Sequence, residues 1–242
     1  MADGSFRRYD ESPRRGERGL LVSRRLHPNV NLSLPVLVYI HGGAYEGGTA
    51  IMYPSDILAL HGVVVVVIQY RLGPFGFLTT GDSAAPGNLG MLDQVEALKW
   101  VKENIGYFGG NPSQVTIFGE SAGATSVTLH LLSPLSKGLF HQAIAESGSL
   151  RKSWTVLRAT TAQWSPAYAR KKDTDIQRAA EKINYPFYDD LRWAPVVDKN
   201  FLHDTPRNLR EKGDFKKVKL MISFNSQEGA TSFGPMAKSS VV

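Results

Sequence analysis

Val115-Thr116-Ile117-Phe118-Gly119-Glu120-Ser121-Ala122-Gly123-Ala124-Thr125 runs from apolar residues through a turn of small residues into a helix-like stretch ending near Leu132. That order predicts a buried strand, a nucleophile elbow and a helix, with Ser121 at the tip of the turn. Gly119 and Gly123 have a steric task, because a bulky side chain at either place would collide with the adjoining strand and helix. In a chain with 23 glycines the pentapeptide alone is weak evidence, so its surroundings decide the reading.

Working outward, Leu34-Pro35-Val36-Leu37-Val38-Tyr39-Ile40 and Val63-Val64-Val65-Val66-Val67-Ile68-Gln69-Tyr70 are apolar without alternation. That is the pattern of parallel strands covered on both faces. Between them and the elbow, Leu92 to Lys102 places Leu92, Val95, Leu98 and Val101 on one helical face with charges opposite, which predicts a covering helix. Further strands are expected at Ala143–Glu146 and Val218–Phe224, and residues 153–188 are expected to be helical and peripheral. Strands alternating with helices give an α/β fold with a mostly parallel sheet. No internal repeat is present.

Composition narrows the chemistry. With 242 residues, 42% of them hydrophobic, the chain can bury one sizeable core, and one large domain is expected over 31–242. Lys and Arg total 28 against 22 acids, a net charge of +6. Half of that excess sits in residues 1–30, where Arg7, Arg8, Arg14, Arg15, Arg18, Arg24 and Arg25 outnumber Asp3, Asp10, Glu11 and Glu17. This segment is expected to be a disordered or irregular solvated arm, and no nucleic-acid partner is called for. The absence of cysteine excludes a cysteine hydrolase, a disulfide framework and a thiolate metal site, so a nucleophile must be an oxygen. No apolar stretch reaches the roughly 18 residues of a membrane span, and the first thirty residues contain no signal-like segment, so the expectation is a soluble, uncleaved chain whose compartment stays open.

His41-Gly42-Gly43-Ala44-Tyr45 follows the first buried strand, where an oxyanion-hole loop of the His-Gly-Gly type belongs. Backbone N–H groups of Gly42, Gly43 and Ala122 would accept the charge that develops when Ser121 attacks an ester carbonyl. His41 itself reads as a loop-ordering residue. Glu228, in Asn225-Ser226-Gln227-Glu228-Gly229, lies just past a predicted buried strand, where active-site residues gather in open α/β sheets.

At this point the chain resembles the type-B carboxylesterase family, which includes carboxylesterases, cholinesterases and neuroligin-like adhesion proteins. The resemblance rests on Tyr39 to Tyr45, Tyr70-Arg71-Leu72-Gly73 with Gly76-Phe77-Leu78, Gly87 to Gln94, and Phe108 to Pro112 running into the elbow. It resumes at Trp193-Ala194-Pro195-Val196-Val197-Asp198 and at Asn225 to Gly229. The resemblance implies an α/β-hydrolase fold with helices on both faces of the sheet. It also implies a serine carboxylesterase with Ser121 as nucleophile, Glu228 as the acid orienting the base, no cofactor and no metal. The substrate would be a small-molecule ester. The other implied reading is a catalytically silent adhesion protein with a protein partner.

Two departures qualify the match. In this architecture the base is a histidine after the acid, yet His27, His41, His61, His130, His141 and His203 all precede Glu228. The chain therefore reads as the N-terminal half of such a domain, truncated at its C-terminal side and lacking the base. A truncated sheet would also leave a strand edge unpaired. The family's early acidic-Cys-Leu segment has no counterpart among Arg14 to Leu26.

Overall fold

A computed structural model describes the backbone of residues 6–11 and 20–25, and residues 33–148, 172, 174–176, 178 and 193–226. Its centre is a seven-stranded sheet: β1 (Phe6–Glu11), β2 (Leu20–Arg25), β3 (Leu34–Ile40), β4 (Val64–Ile68), β5 (Gly110–Glu120), β6 (Gln142–Glu146) and β7 (Lys219–Ser223), in the spatial order β1-β2-β4-β3-β5-β6-β7. From β4 to β7 every pairing is parallel, whereas β1/β2 and β2/β4 are antiparallel. The mostly parallel α/β sheet expected from the apolar runs is therefore present. All five residues of β4 are buried, which is why that run shows no alternation.

The four helices that matter most are α1 (Asp56–Ala59), α2 (Gly73–Phe77), α3 (Leu89–Asn104) and α4 (Ala122–Leu132). Val36, Val38 and Ile40 of β3, with Val115 and Ile117 of β5, meet Val95, Leu98 and Val101 of α3 and Val127 and Leu129 of α4 in the main core. Tyr39, Val65 and Val67 form a second apolar layer on the opposite face with Ala59, Tyr53 and Phe118. Two long-range clamps close the first layer. The Arg71 guanidinium is bidentate on Asp93 at 2.7 and 2.8 Å. The Asn88 side chain both donates to Val196 O and accepts from Val196 N, each at 2.8 Å.

Residues 6–11 and 20–25, inside the segment given no regular structure above, run as extended backbone. β2 pairs with β4 from Leu20↔Ile68 to Ser23↔Val65. Pairing there satisfies N–H and C=O groups that β4 would otherwise leave exposed, a requirement that residue composition does not register. At the other side of the sheet, β7 has no partner on its outer edge among the described residues, and Leu220, Met221, Ile222 and Phe224 are exposed. Most of 153–188 lies outside the described residues.

Topology decides where a site can form. From β3 the chain moves to β4 on one side, then crosses back over β3 to β5 on the other. The carboxyl ends of β3 and β5 therefore flank the point where the winding direction reverses, the place where open α/β sheets bind ligands.

Candidate active site

Ser121 joins β5 to α4 with φ 56° and ψ −120°, a region that a residue with a side chain occupies only when its surroundings enforce it, at a cost of about 1–3 kcal/mol. Here the enforcement is visible. Ser121 N donates to Glu146 O at 2.9 Å, continuing the β5/β6 ladder one residue past the strand, and Thr125 N donates to Ser121 O at 3.0 Å, starting the helix. The helix enters so close to β3 that a Cβ on Gly123 would collide with Ile40 O and stand 3.0 Å from His41 C. One on Gly119 would stand 2.5 Å from Ile40 O and 2.7 Å from Gly123 C. The small flanks expected of the elbow are thus required by backbone crossing, not by solvent exposure.

Because β3 and β5 are neighbours, paired at Ile40↔Gly119, the residues following them meet. Gly42 lies so near that a Cβ placed on it would be 2.7 Å from Glu120 O and 3.2 Å from Ser121 Cβ. Gly43 has φ 108°, and its carbonyl accepts from Glu46 N at 3.0 Å and Gly47 N at 2.9 Å, which curls residues 43–47 into a tight turn. Among the described residues, the N–H groups of Gly42 and Gly43 donate to no protein acceptor. Ala122, first in α4, has no helical acceptor for its own N–H either. Three unengaged amide donors thus lie on two segments that touch beside Ser121.

His41 is fully buried, and its Nδ1 donates to Gly42 O at 2.9 Å. Its ring stacks on Tyr70 with centroids 4.5 Å apart, and Tyr70 Oη donates to His41 O at 2.7 Å. Burial lowers its pKa, so it is neutral at pH 7. This is a loop-ordering histidine, and its buried Nε2 has no partner among the described residues.

Three other described histidines have partners elsewhere in the fold. His130 binds Gln94 Oε1 at 2.9 Å and Ser136 Oγ at 2.7 Å. Val115 N donates to His141 Nδ1 at 3.2 Å at the amino end of β6, and His203 faces Asp214 at 2.9 Å. Glu228 lies outside the described residues; the chain leads toward it from β7, where Ser147 N donates to Ser223 O at 2.8 Å. Glu120 ends β5 at the carboxyl edge of the sheet and is exposed. Among the described residues, no group of three His, Asp or Glu side chains could hold a metal ion, and no helix is long and apolar enough to cross a membrane.

Sequence reading missed a buried polar chain from Tyr45 through Ser126 and Gln94 to His130. The available signal was three polar residues, Gln94, Ser126 and His130, at helix positions that face the core.

Comparison with known proteins points one way. The Carboxylesterase family profile matches residues 22–240. Human neuroligin-2 is 40% identical over 211 residues, covering 81% of this chain and 25% of that protein. Human neuroligin-3 matches at 40% over the same share of this chain and 25% of its own length. Cholinesterase 2 of Branchiostoma lanceolatum is 40% identical over 227 residues, covering 83% of this chain and 66% of that protein. The chain thus spans about a quarter of the length of the neuroligins it matches.

Proposed function

Since this chain belongs to the carboxylesterase family, we propose that it carries the nucleophile and oxyanion site of a serine carboxylic ester hydrolase. The observation that carries this reading is the strained Ser121, φ 56°, with Gly42 in contact beside it. In the mechanism, Ser121 gives its hydroxyl proton to a general base as its Oγ attacks the ester carbonyl carbon and the carbonyl π electrons move to oxygen. The N–H groups of Gly42, Gly43 and Ala122 donate hydrogen bonds to the resulting oxyanion; one such donor is worth about 3–4 kcal/mol of barrier. Collapse breaks the bond to the leaving oxygen, which takes the proton back from the base and departs as the alcohol, leaving an acyl-serine that water then hydrolyses.

Proton transfer from Ser121 requires a base. Glu228 is assigned the role of orienting the base, but every histidine in these 242 residues precedes it, and none of the described ones is hydrogen-bonded to Ser121. Without an imidazole, Ser121 keeps its proton and the rate falls by several orders of magnitude. The substrate class is a small-molecule carboxylic ester, with no cofactor, metal or nucleic acid in the reaction. p-Nitrophenyl butyrate hydrolysis beside a Ser121→Ala control tests this: the account expects little Ser121-dependent turnover from these 242 residues, and robust turnover abolished by the substitution would refute the argument about the base.

A second reading, a catalytically silent protein that binds another protein, is favoured by the similarity to neuroligins and by the fact that no described histidine is hydrogen-bonded to Ser121. It predicts that Ser121 reacts no faster than an ordinary serine.

A further inference from the structure

Ala44 and Tyr45, consecutive in the loop after β3, both lie in the left-handed region, with φ 57° and 60°. Each such residue costs about 1 kcal/mol, so the loop must be held from outside. Tyr45 is the holding point. It is fully buried, its carbonyl accepts from Gly73 N at 2.7 Å, and its ring rests against Phe77 with centroids 4.8 Å apart. Its hydroxyl reaches Ser126 Oγ, at 3.2 Å, on the elbow helix α4.

The hydrogens in this cluster can be assigned from valence. Ser126 Oγ lies 3.0 Å from Ala122 O, which only accepts, so the serine donates there. Tyr45 O–H and Gln94 Nε2–H, the latter at 3.3 Å, then both donate to Ser126 Oγ. His130 Nε2–H donates to Gln94 Oε1, and Ser136 O–H donates to His130 Nδ1. Every member is satisfied, the condition under which a buried polar network fixes one arrangement. Burial pushes the Tyr45 phenol well above its ordinary pKa, so it stays a donor.

We propose that Tyr45 is a positioning residue for the oxyanion loop: its hydroxyl, captured by Ser126, pins residues 42–45 to the helix that follows Ser121. The inference rests on the esterase reading for its catalytic meaning and on the geometry above for its structural meaning. Ser126 reaches both segments, since it bonds Tyr45 on the loop and the carbonyl of Ala122, whose own N–H is one of the assigned oxyanion donors. Loss of the Tyr45 hydroxyl frees the loop relative to the elbow while leaving ring packing in place.

The test uses Tyr45→Phe and Ser126→Ala, singly and combined, in the full chain. Amide hydrogen exchange is followed in residues 41–48 and, as an internal control, in β3. A hydrogen bond of net ~1 kcal/mol predicts about fivefold faster exchange in 41–48 for each single variant, with β3 unchanged. The double variant should be no faster than the faster single, because both remove the same bond. In parallel, Ser121 modification by a fluorophosphonate is resolved into a maximal rate and a half-saturating concentration; the maximal rate should fall severalfold and the concentration should not move. Unchanged exchange in 41–48, equal acceleration in β3, or additive effects in the double variant would each overturn the proposal. If the parent chain is not modified at Ser121 but exchange responds as stated, the esterase reading fails and the pinning of the loop stands. If the parent is modified and exchange does not respond, the converse holds.

Discussion

Gly42 and Ser121 are in contact across two neighbouring strands: a methyl group on Gly42 would stand 3.2 Å from Ser121 Cβ and 2.7 Å from Glu120 O. Seventy-nine positions apart in the chain, they meet because β3 and β5 are paired in register at Ile40↔Gly119 and the winding of the sheet reverses between them. The contact leaves no room for a side chain at position 42.

Gly42→Ala is therefore expected to displace the loop from the elbow without unfolding the sheet. The clash is with the Glu120 carbonyl and the side chains of Glu120 and Ser121, so a loss of about 1–3 kcal/mol is expected, in the range of overpacking. Chemical denaturation measures the loss, and fluorophosphonate modification of Ser121 should slow at least tenfold. Unchanged reactivity would mean that the loop takes no part.

Gly123→Ala should be far worse, because the added Cβ meets Ile40 O and His41 C, both backbone atoms at the centre of the fold. Neither can retreat without breaking the β3/β5 pairing. The expected result is loss of the cooperative transition, or destabilisation above about 3 kcal/mol. A variant with the parent's denaturation midpoint would contradict the crossing geometry.

Asn88 is buried with φ 57° and makes both hydrogen bonds to Val196. Asn88→Gly keeps the backbone conformation but abandons two buried backbone groups, so a cost of about 2–3 kcal/mol is expected. Asn88→Ala should cost more, since alanine also resists positive φ. Equal costs for the two variants would show that the backbone conformation contributes nothing.

Acid should weaken the fold through its buried histidines. Burial holds His130 at about 3 and lowers His41 for the same leading reason. For a group depressed in the folded state, the unfolded chain binds the proton first, so the stability contribution is complete above the ordinary value near 6.5 and is lost as pH falls toward the folded value. For His130, whose shift is large, the slope reaches about 1.4 kcal/mol per pH unit within that window. Urea denaturation between pH 7 and 5 should show stability falling with pH, and His130→Gln should flatten the slope. An unchanged slope would contradict the neutral, network-bound imidazole.

The legible parts of the fold were those whose signal is local. The β-branched runs of β3 and β4 announce strands covered on both faces, and Gly119 to Gly123 announces the turn, because each needs only its own residues to be recognised. The Tyr45–Ser126 bond joins residues 81 positions apart, and the Gln94–His130 bond spans 36. In sequence they register only as polar residues on core-facing helix positions, with nothing to say which partner satisfies which. β2 was illegible for a different reason. Leu20-Leu21-Val22-Ser23-Arg24-Arg25 carries no alternation, and its pairing answers the open edge of β4. Glu228 falls outside the described residues, so its place beside Ser121 remains a proposal carried by the family resemblance.

The central claim, that Ser121 is presented as a nucleophile to a loop of free amides, is tested most directly by mapping fluorophosphonate adducts by peptide mass spectrometry on the full chain and on Ser121→Ala. The account predicts slow but selective modification at Ser121, absent from the variant and severalfold slower in Gly42→Ala. Modification spread evenly over other serines, or none at Ser121 after prolonged exposure, would contradict it.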